Sequence, residues 1–375
     1  MSYRQLNLVE IDLEALVHNL RVLTSRLASA SVGLLAVVKS DAYGHGLLEV
    51  SRTLVSAGVW GLGISEIEEA REIRRAGIAS PVVLLSGLYP GGEKEVFDLD
   101  LIPGVTDRRT LETLESEGAR RGSIRKIHVK LDSGMGRLGL GQEEFLDCVA
   151  RRDSWPHLEF DGLFSHLSSA DEPRDPLNEI QIHRCEAVIG EIRRLGWAPR
   201  VVHVANSAGL LHFPASHFDL VRPGIALYGA YPGEESRNLV SLRPVMRFRS
   251  KVIAVRCLPC GCPVGYGHAY STVRDSRIAV IPVGYDDGYL RSLSNRARVL
   301  IRGRRCPVVG RICMKALMAD VSDLSDVQPG EEVVLLGRQG EETITVEDLA
   351  RWGDTVNYEV LCLLGSRNER RFLGG

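Results

Sequence analysis

The 375-residue chain carries no excess of either charge, no apolar run of membrane-spanning length, no internal repeat and no low-complexity tract. Each absence removes a class of function. Its 46 Lys and Arg against 48 Asp and Glu leave a net charge of −2. There is thus no surplus of cations to release counterions from a nucleic acid, and no basic block to hold an anionic membrane. No stretch approaches the ~20 apolar residues that cross a bilayer, and Met1–Glu10 lacks the apolar core of a secretory leader, so the chain reads as cytoplasmic. Without self-similarity it is neither a solenoid nor a propeller. The eight cysteines follow no regular frame and read as free thiols in a reducing compartment rather than a disulfide scaffold. Cys257, Cys260 and Cys262 make a C-x-x-C-x-C run that would be half of a zinc site, but Cys306 and Cys313 stand too far apart to supply the second pair. The plain reading is small hydrophobes beside a turn, and no metal is expected.

What is present is a regular alternation. The length allows two or three domains. Apolar, β-branched segments recur at Val32–Lys39, Val59–Ser65, Pro81–Gly87, Ile102–Thr106, Ile127–Asp132, Phe160–His166, Val201–Ser207 and Phe218–Arg222. Helix-patterned stretches such as Glu66–Ala76 and Asp175–Leu195 separate them. Strands joined by helices pair in parallel, and eight of them predict a closed (β/α)8 barrel over residues 1–235. After that the texture changes to short β-rich segments broken by Gly, Pro and Asp: Arg247–Leu258, Arg277–Gly284, Ala297–Ile301, Pro307–Ile312, Leu317–Val321 and Glu331–Leu336, with one helical insert at Val346–Trp352. Residues 236–375 therefore predict a second, mainly antiparallel β domain, which the extreme N-terminal strand is free to join.

A barrel of this kind does its chemistry at the C-terminal ends of its strands, and those ends are polar here. The first closes on Lys39, followed by Ser40-Asp41-Ala42-Tyr43-Gly44-His45-Gly46. A lysine ending an apolar strand is desolvated, and its pKa falls from ~10.4 toward values where the amine is a free nucleophile; the plain alternative is a lysine snorkelling from the mouth. The fifth segment yields Lys130 and then Asp132-Ser133-Gly134-Met135-Gly136-Arg137, the sixth His166, the seventh His203 with Asn206 and Ser207, and the eighth Arg222 before Pro223-Gly224-Ile225. Barrels often hold phosphate at the seventh and eighth loops, where a short helix opens with free backbone N–H groups, and Ser207, Gly224 and Ile225 occupy that place. A lysine amine beside a phosphate cradle points to a Schiff base with a phosphorylated aldehyde, pyridoxal phosphate being the obvious one. Gly134–Gly139 also matches G-x-G-x-x-G with Glu159 beyond it, a dinucleotide fingerprint by pattern. It falls on the fifth strand of a series, however, and Arg137 would crowd a pyrophosphate turn.

Taken together, Ala36–Gly46, Lys130–Gly139, Val221–Gly229, Ile281–Tyr289, Gly310–Met314 and Asn357–Glu359 resemble the motifs of the alanine racemase family along essentially the whole chain. The resemblance implies a pyridoxal-phosphate enzyme that interconverts L- and D-alanine, supplies D-alanine for peptidoglycan, and works as a homodimer whose sites borrow residues from the partner's β domain. It makes Lys39 the cofactor lysine and the base serving D-alanine, with Tyr266 the opposing base serving L-alanine. His166 stands between that tyrosine and Arg222, which donates to the pyridine nitrogen. Because arginine does not give up its proton, the cofactor is a weaker electron sink, which favours racemisation over transamination. By the same match Tyr43, Ser207, Gly224, Ile225 and Tyr358 bind phosphate, Arg137 and Met314 meet the substrate carboxylate, Lys130 is the lysine often carbamylated beside that arginine, and Tyr285 narrows the approach toward a methyl-sized side chain.

Three positions depart from the family pattern. Lys315 stands where aspartate usually follows the Cys-Met pair, and Asp286 and Leu290 replace a small residue and a proline. The departures leave open a broader racemase acting on serine or other small amino acids. Barrel proteins that bind the cofactor without catalysis lack the β domain, and the related decarboxylases are expected to place a carboxylate where Arg222 stands.

Overall fold

The structure, a computed structural model, describes residues 6–374. Met1–Gln5, the start of the segment read as lacking a leader, and Gly375 lie outside the described residues. Strand β1 (Leu8–Asp12) runs straight into a helix, Leu13–Thr24, which starts where the Asp12 carboxylate accepts from Ala15 N–H. Eight parallel strands follow and close on themselves: β2 (Gly33–Val37), β3 (Gly61–Ile64), β4 (Val82–Leu84), β5 (Ile102–Val105), β6 (Arg125–Lys130), β7 (Leu158–Phe164), β8 (Val201–His203) and β9 (Leu220–Val221). Each of the eight apolar segments supplies one of them, and β9 pairs back to β2. Helices cover the outside, so both faces of a strand are buried and it reads as a continuous apolar run. Leu34 and Ala36 join the main core, whereas Leu35 between them packs with Val83 of β4 and Leu220 of β9 in a separate cluster, the period-two alternation of a strand.

The later strands are β10 (Met246–Lys251), β11 (Ala254–Leu258), β12 (Ser276–Ile281), β13 (Arg298–Ile301), β14 (Arg304–Pro307), β15 (Leu317–Asp320), β16 (Glu332–Gln339), β17 (Glu342–Ile344) and β18 (Glu369–Leu373). The larger sheet runs β14-β13-β16-β10-β1-β18, with β17 on β16; the smaller is β11-β12-β15. β1 lies between β10, antiparallel, and β18, parallel, so the first described strand is built into the sheet made by the last third of the chain. Two segments differ from expectation. Arg247–Leu258 is two strands in different sheets rather than one, and Pro307–Ile312 is strand only at Pro307, which has no N–H to extend a ladder. Gly310 then turns the chain at φ 75°. No helix among the described residues is long and apolar enough to cross a membrane.

One local conformation sets the geometry of the barrel mouth. Ser40, Asp41, Ala42 and Tyr43 all lie in the left-handed region, with φ of 54–55°. For residues with a Cβ this costs roughly 1–2 kcal/mol each, so the turn survives only because its surroundings hold it. Ser40 N–H donates to Glu69, Leu47 N–H donates to Asp41 at 2.7 Å, and the Asp41 carboxylate is also paired with Arg370 of β18. The His45 ring stacks on Tyr228 at 4.5 Å. The helix Asn357–Arg367 packs against the turn so closely that a Cβ on Gly365 would lie 1.8 Å from the Gly44 carbonyl oxygen. Gly365→Ala is therefore expected to push the turn off its support and cost about 1–3 kcal/mol. A melting temperature equal to that of the parent protein would show the contact to be slack.

Candidate active site

The C-terminal ends of the barrel strands converge on a cavity of about 260 Å³. Lys39, Lys130, Arg137 and Arg222 line it with His166, and no aspartate or glutamate does. Arg222, just past β9, is 4% exposed. Its terminal nitrogens donate to the carbonyls of Ser165 and His203 at 2.6 Å and of Val204 at 3.0 Å, and to Nδ1 of His203 at 3.0 Å and of His166 at 3.1 Å. No carboxylate pairs with it among the described residues, and its Nε–H has no acceptor there, which leaves one donor for whatever fills the cavity. Burial, then Arg222 and Arg137, bring Lys130 down to about 8. Burial and Arg137 lower Lys39 against the opposing pull of Glu69. Burial and the same arginines hold His166 well below the ordinary imidazole value. Lys130 is thereby partly neutral near physiological pH, and Lys39 is shifted in the same direction, toward the free amine that attacks a carbonyl.

Tyr43, Ser207, Gly224, Ile225 and Tyr358 line the same cavity. Ser207 Oγ accepts from Gly224 N–H at 2.9 Å and Ala226 N–H at 3.3 Å. The Gly224 N–H that the sequence offered as free is thus spent on orienting the serine, whose own proton points elsewhere. The hydroxyls of Ser207, Tyr43 and Tyr358 have no acceptor among the described residues, and the two tyrosine rings lie 6.0 Å apart. A Cβ on Gly224 would fall 2.3 Å from Tyr43 Oη, so the backbone lies directly against this group of donors. Three uncommitted hydroxyls with four cations and no acid form a donor set that suits a phosphate, and Arg137, half a loop away and without an ion pair among the described residues, suits a carboxylate. The Gly134–Gly139 loop is closed on itself, since the Asp132 carboxylate accepts from the N–H groups of Gly134, Met135 and Gly136; the first half of the dinucleotide pattern thus spends its N–H groups inside the loop. Leu85 and Ser86 also line the cavity. They went unnoticed because neither side chain titrates.

Tyr266, Met314 and Tyr285 do not line the cavity. They are 71%, 57% and 43% exposed, gathered on one face of the β unit: Tyr285 N–H donates to the Cys313 carbonyl and Asp286 N–H to that of Met314, while Gly265 and Gly267 rest on Arg311. Among the described residues no three His, Cys, Asp or Glu side chains are placed to hold a metal.

A (β/α)8 barrel with a desolvated lysine and a cation-lined cavity at its mouth, joined to a β unit with exposed tyrosines, has the architecture of an enzyme whose cavity suits a small anionic ligand. The comparisons sharpen the class. Residues 11–232 match the alanine racemase N-terminal domain and residues 245–372 the alanine racemase C-terminal domain. The alanine racemase of Symbiobacterium thermophilum is 42% identical over 366 residues, covering 98% of this chain and 96% of that one, and that of Syntrophobacter fumaroxidans is 42% identical over 367 residues, covering 98% and 97%. The alanine racemase of Streptomyces lavendulae, a D-cycloserine producer, superposes with a TM-score of 0.94 at 34% identity, covering 100% of this chain and 98% of that one. The Bartonella henselae alanine racemase, whose structure carries covalently bound pyridoxal phosphate, superposes at 0.89 with 30% identity, covering 98% and 99%. The chain belongs to the alanine racemase family and is an amino-acid racemase.

Two of the three departures from the family pattern, Lys315 and Asp286, are partners, while Leu290 packs against the core. Lys315 Nζ lies 2.7 Å from both Asp286 Oδ2 and Asp287 Oδ1, and Asp287 Oδ2 accepts from Gly284 N–H at 3.0 Å. Burial opposes the Lys315 charge, but the two carboxylates outweigh it and raise its pKa. The ammonium therefore ties the Tyr285 turn to the Met314 segment. Asp287 is 3% exposed, so Lys315→Met should strand its carboxylate and cost about 1–3 kcal/mol in urea unfolding, with part recovered in Lys315→Met/Asp287→Asn. Equal stability of parent and single variant would disprove the tie.

Proposed function

We propose that the protein interconverts L-alanine and D-alanine with pyridoxal phosphate held at Lys39. It would use Lys39 and Tyr266 as bases on opposite faces of the α-carbon, and work as a homodimer in which each cavity is completed by Tyr266, Met314 and Tyr285 of the other copy. The observation that carries this reading is a neutralisable lysine in a cavity that offers donors for one phosphate and one carboxylate and no acid to compete for them. Pyridoxal phosphate, when bound, supplies the electron sink that makes an α-proton labile. Everything else falls to the chain. Tyr43, Ser207 and Tyr358 hold the phosphate with the Ile225 N–H, while Gly224, whose own N–H orients Ser207, lets the backbone lie against it. Arg222 offers the ring nitrogen an N–H that it does not surrender. Arg137 anchors the substrate carboxylate with Met314 behind it, and Lys130, partly neutral beside two arginines, takes up carbon dioxide as a carbamate whose negative charge steadies them. Lys39 moves a proton on one face; on the other, the Tyr266 hydroxyl oxygen of the second copy would do so, with His166 standing between it and Arg222.

The homodimer is supported by the exposure of Tyr266, Met314 and Tyr285 away from the cavity, since inversion at carbon needs a proton delivered opposite Lys39. In this reading residues 1–235 carry the cofactor and residues 236–375 the second base. The cell would use the product in the cytoplasm as D-alanine for peptidoglycan. With its charge already spent on Asp286 and Asp287, Lys315 no longer argues for wider specificity, and Tyr285 limits the side chain to a methyl group.

In deuterated water, L-alanine and holoenzyme should yield α-deuterated D-alanine; no D-alanine and no α-deuterium would overturn the proposal. Tyr266→Phe should slow α-proton removal from L-alanine by at least ~100-fold and affect D-alanine exchange less, whereas equal losses from both enantiomers would refute the assignment of Tyr266. Mixing inactive Lys39→Ala with inactive Tyr266→Phe should restore activity, because the mixed dimer holds one site with both bases intact. No recovery after subunit exchange would place both bases in the same chain.

A further inference from the structure

Beneath the cavity, a line of buried side chains that the reaction does not touch runs from Arg222 into the barrel interior. His203 Nδ1, at the end of β8, faces Arg222 Nη1 at 3.0 Å, and its Nε2 meets His128 Nδ1 of β6 at 2.8 Å. His128 Nε2 in turn lies 3.8 Å from Asp161 Oδ2 of β7. Both imidazoles are fully buried and Asp161 nearly so. The barrel is shaped around them: the β6–β7 pairing slips between Ile127 and His128, and a Cβ on Gly162 would fall 2.5 Å from the His128 ring.

The hydrogen positions follow from one fact, that a guanidinium donates and never accepts. Nδ1 of His203 must then present its lone pair to Arg222, so its proton sits on Nε2. That proton is donated to His128 Nδ1, which must also be bare. The His128 proton is therefore on Nε2, facing the Asp161 carboxylate. Reversing the chain would set N–H against N–H at Arg222, and a second proton on either ring would do the same at one end or the other. Burial, which lowers the pKa of both rings, works in the same direction. Asp161 is kept ionised first by His128 and then by Lys126, at 3.8 Å, with Arg200 at 3.6 Å. On its other side Arg222 Nη2 lies 3.1 Å from His166 Nδ1, its two protons shared among that nitrogen and the Ser165 and Val204 carbonyls; a bare Nδ1 on His166, with the proton on Nε2, is the arrangement that avoids setting N–H against N–H there.

We infer that Asp161, His128 and His203 are positioning residues for Arg222: a chain of fixed tautomers that holds the guanidinium oriented in the barrel mouth and, through it, fixes His166 as an Nε2–H donor. The inference rests on the proposed role of Arg222 at the cofactor ring for its effect on rate, but not for the tautomers themselves.

The test is histidine-selective ¹⁵N NMR of the holoenzyme. His128, His203 and His166 should each show one protonated and one bare ring nitrogen, with Nε2 protonated in all three. A protonated Nδ1 on His203, or an imidazolium at His203 or His128 at neutral pH, would overturn the inference without any variant. Asp161→Ala removes the anchor at the far end from the cavity. It should give mixed tautomers at His203 and His166, shift the absorbance of the bound cofactor and lower kcat roughly tenfold with KM little changed. Asp161→Asn, which keeps an acceptor oxygen, should restore the signals. A merely structural Asp161 would change the melting temperature and leave the ring-nitrogen shifts and the absorbance where they were. If the tautomers are as stated but pyridoxal phosphate fails to bind, the functional proposal falls and the chain of tautomers stands.

Discussion

Four cations crowd the barrel mouth without a single carboxylate among them, and most of what the site does follows from that imbalance. A buried unpaired charge is costly, and Arg222 is tolerated because three carbonyls and two ring nitrogens share its four terminal protons. Its charge is satisfied but not neutralised, so its field still acts on Lys130, His166 and His203, all of which it pushes toward their neutral forms. The repulsion among these cations is thus the same interaction that pushes Lys130 toward its neutral form and makes the cavity a site for anions. Ligands carrying phosphate and carboxylate relieve it, and by mass action they return the energy to the fold.

The second constraint is the left-handed turn after Lys39. It places Tyr43 against Gly224 and so brings the hydroxyl group of one strand end onto the backbone of another. The contacts that hold it come from the far end of the chain, Arg370 of β18 and the helix Asn357–Arg367, whose Tyr358 also reaches the cavity. β1 ties the N-terminus into the same sheet. The two halves of the chain therefore do not act as separate modules, because the strain beside Lys39 is borne in part by the β unit.

Much of this is legible in the residue pattern. Parallel strands buried on both faces read as uninterrupted apolar runs, and a polar residue closing such a run marks a strand end at the mouth; Lys39, Lys130, His166 and Arg222 are all found that way. The left-handed turn is not legible, because Ser-Asp-Ala-Tyr contains no glycine and its conformation is dictated by residues more than 300 positions away in sequence, as the Asp41–Arg370 pair shows. His128 is hidden for a different reason. Within Arg-Lys-Ile-His-Val-Lys a lone histidine looks like any satisfied core histidine, and only its 2.8 Å contact with His203 gives it direction. Lys315 misleads when read alone. Set beside Asp286 it is one half of a compensated pair, and a charge change of two units at one position is answered by a new carboxylate 2.7 Å away.

That compensation bears on how a second copy could approach the cavity. In the proposed dimer the face bearing Tyr266, Met314 and Tyr285 must enter the field of Arg137, Lys39 and Lys130. Asp286 follows Tyr285 on that turn, and a free carboxylate there would be drawn to Arg137 and compete for the position meant for the substrate's own carboxylate. Lys315 binds Asp286 and the buried Asp287, each at 2.7 Å, which cancels one of their two negative charges before the surfaces meet and at the same time fixes the turn that carries Tyr285. In the proposed dimer a lysine that first looks like a threat to specificity would thereby lessen the competition that this turn offers to the carboxylate of a ligand.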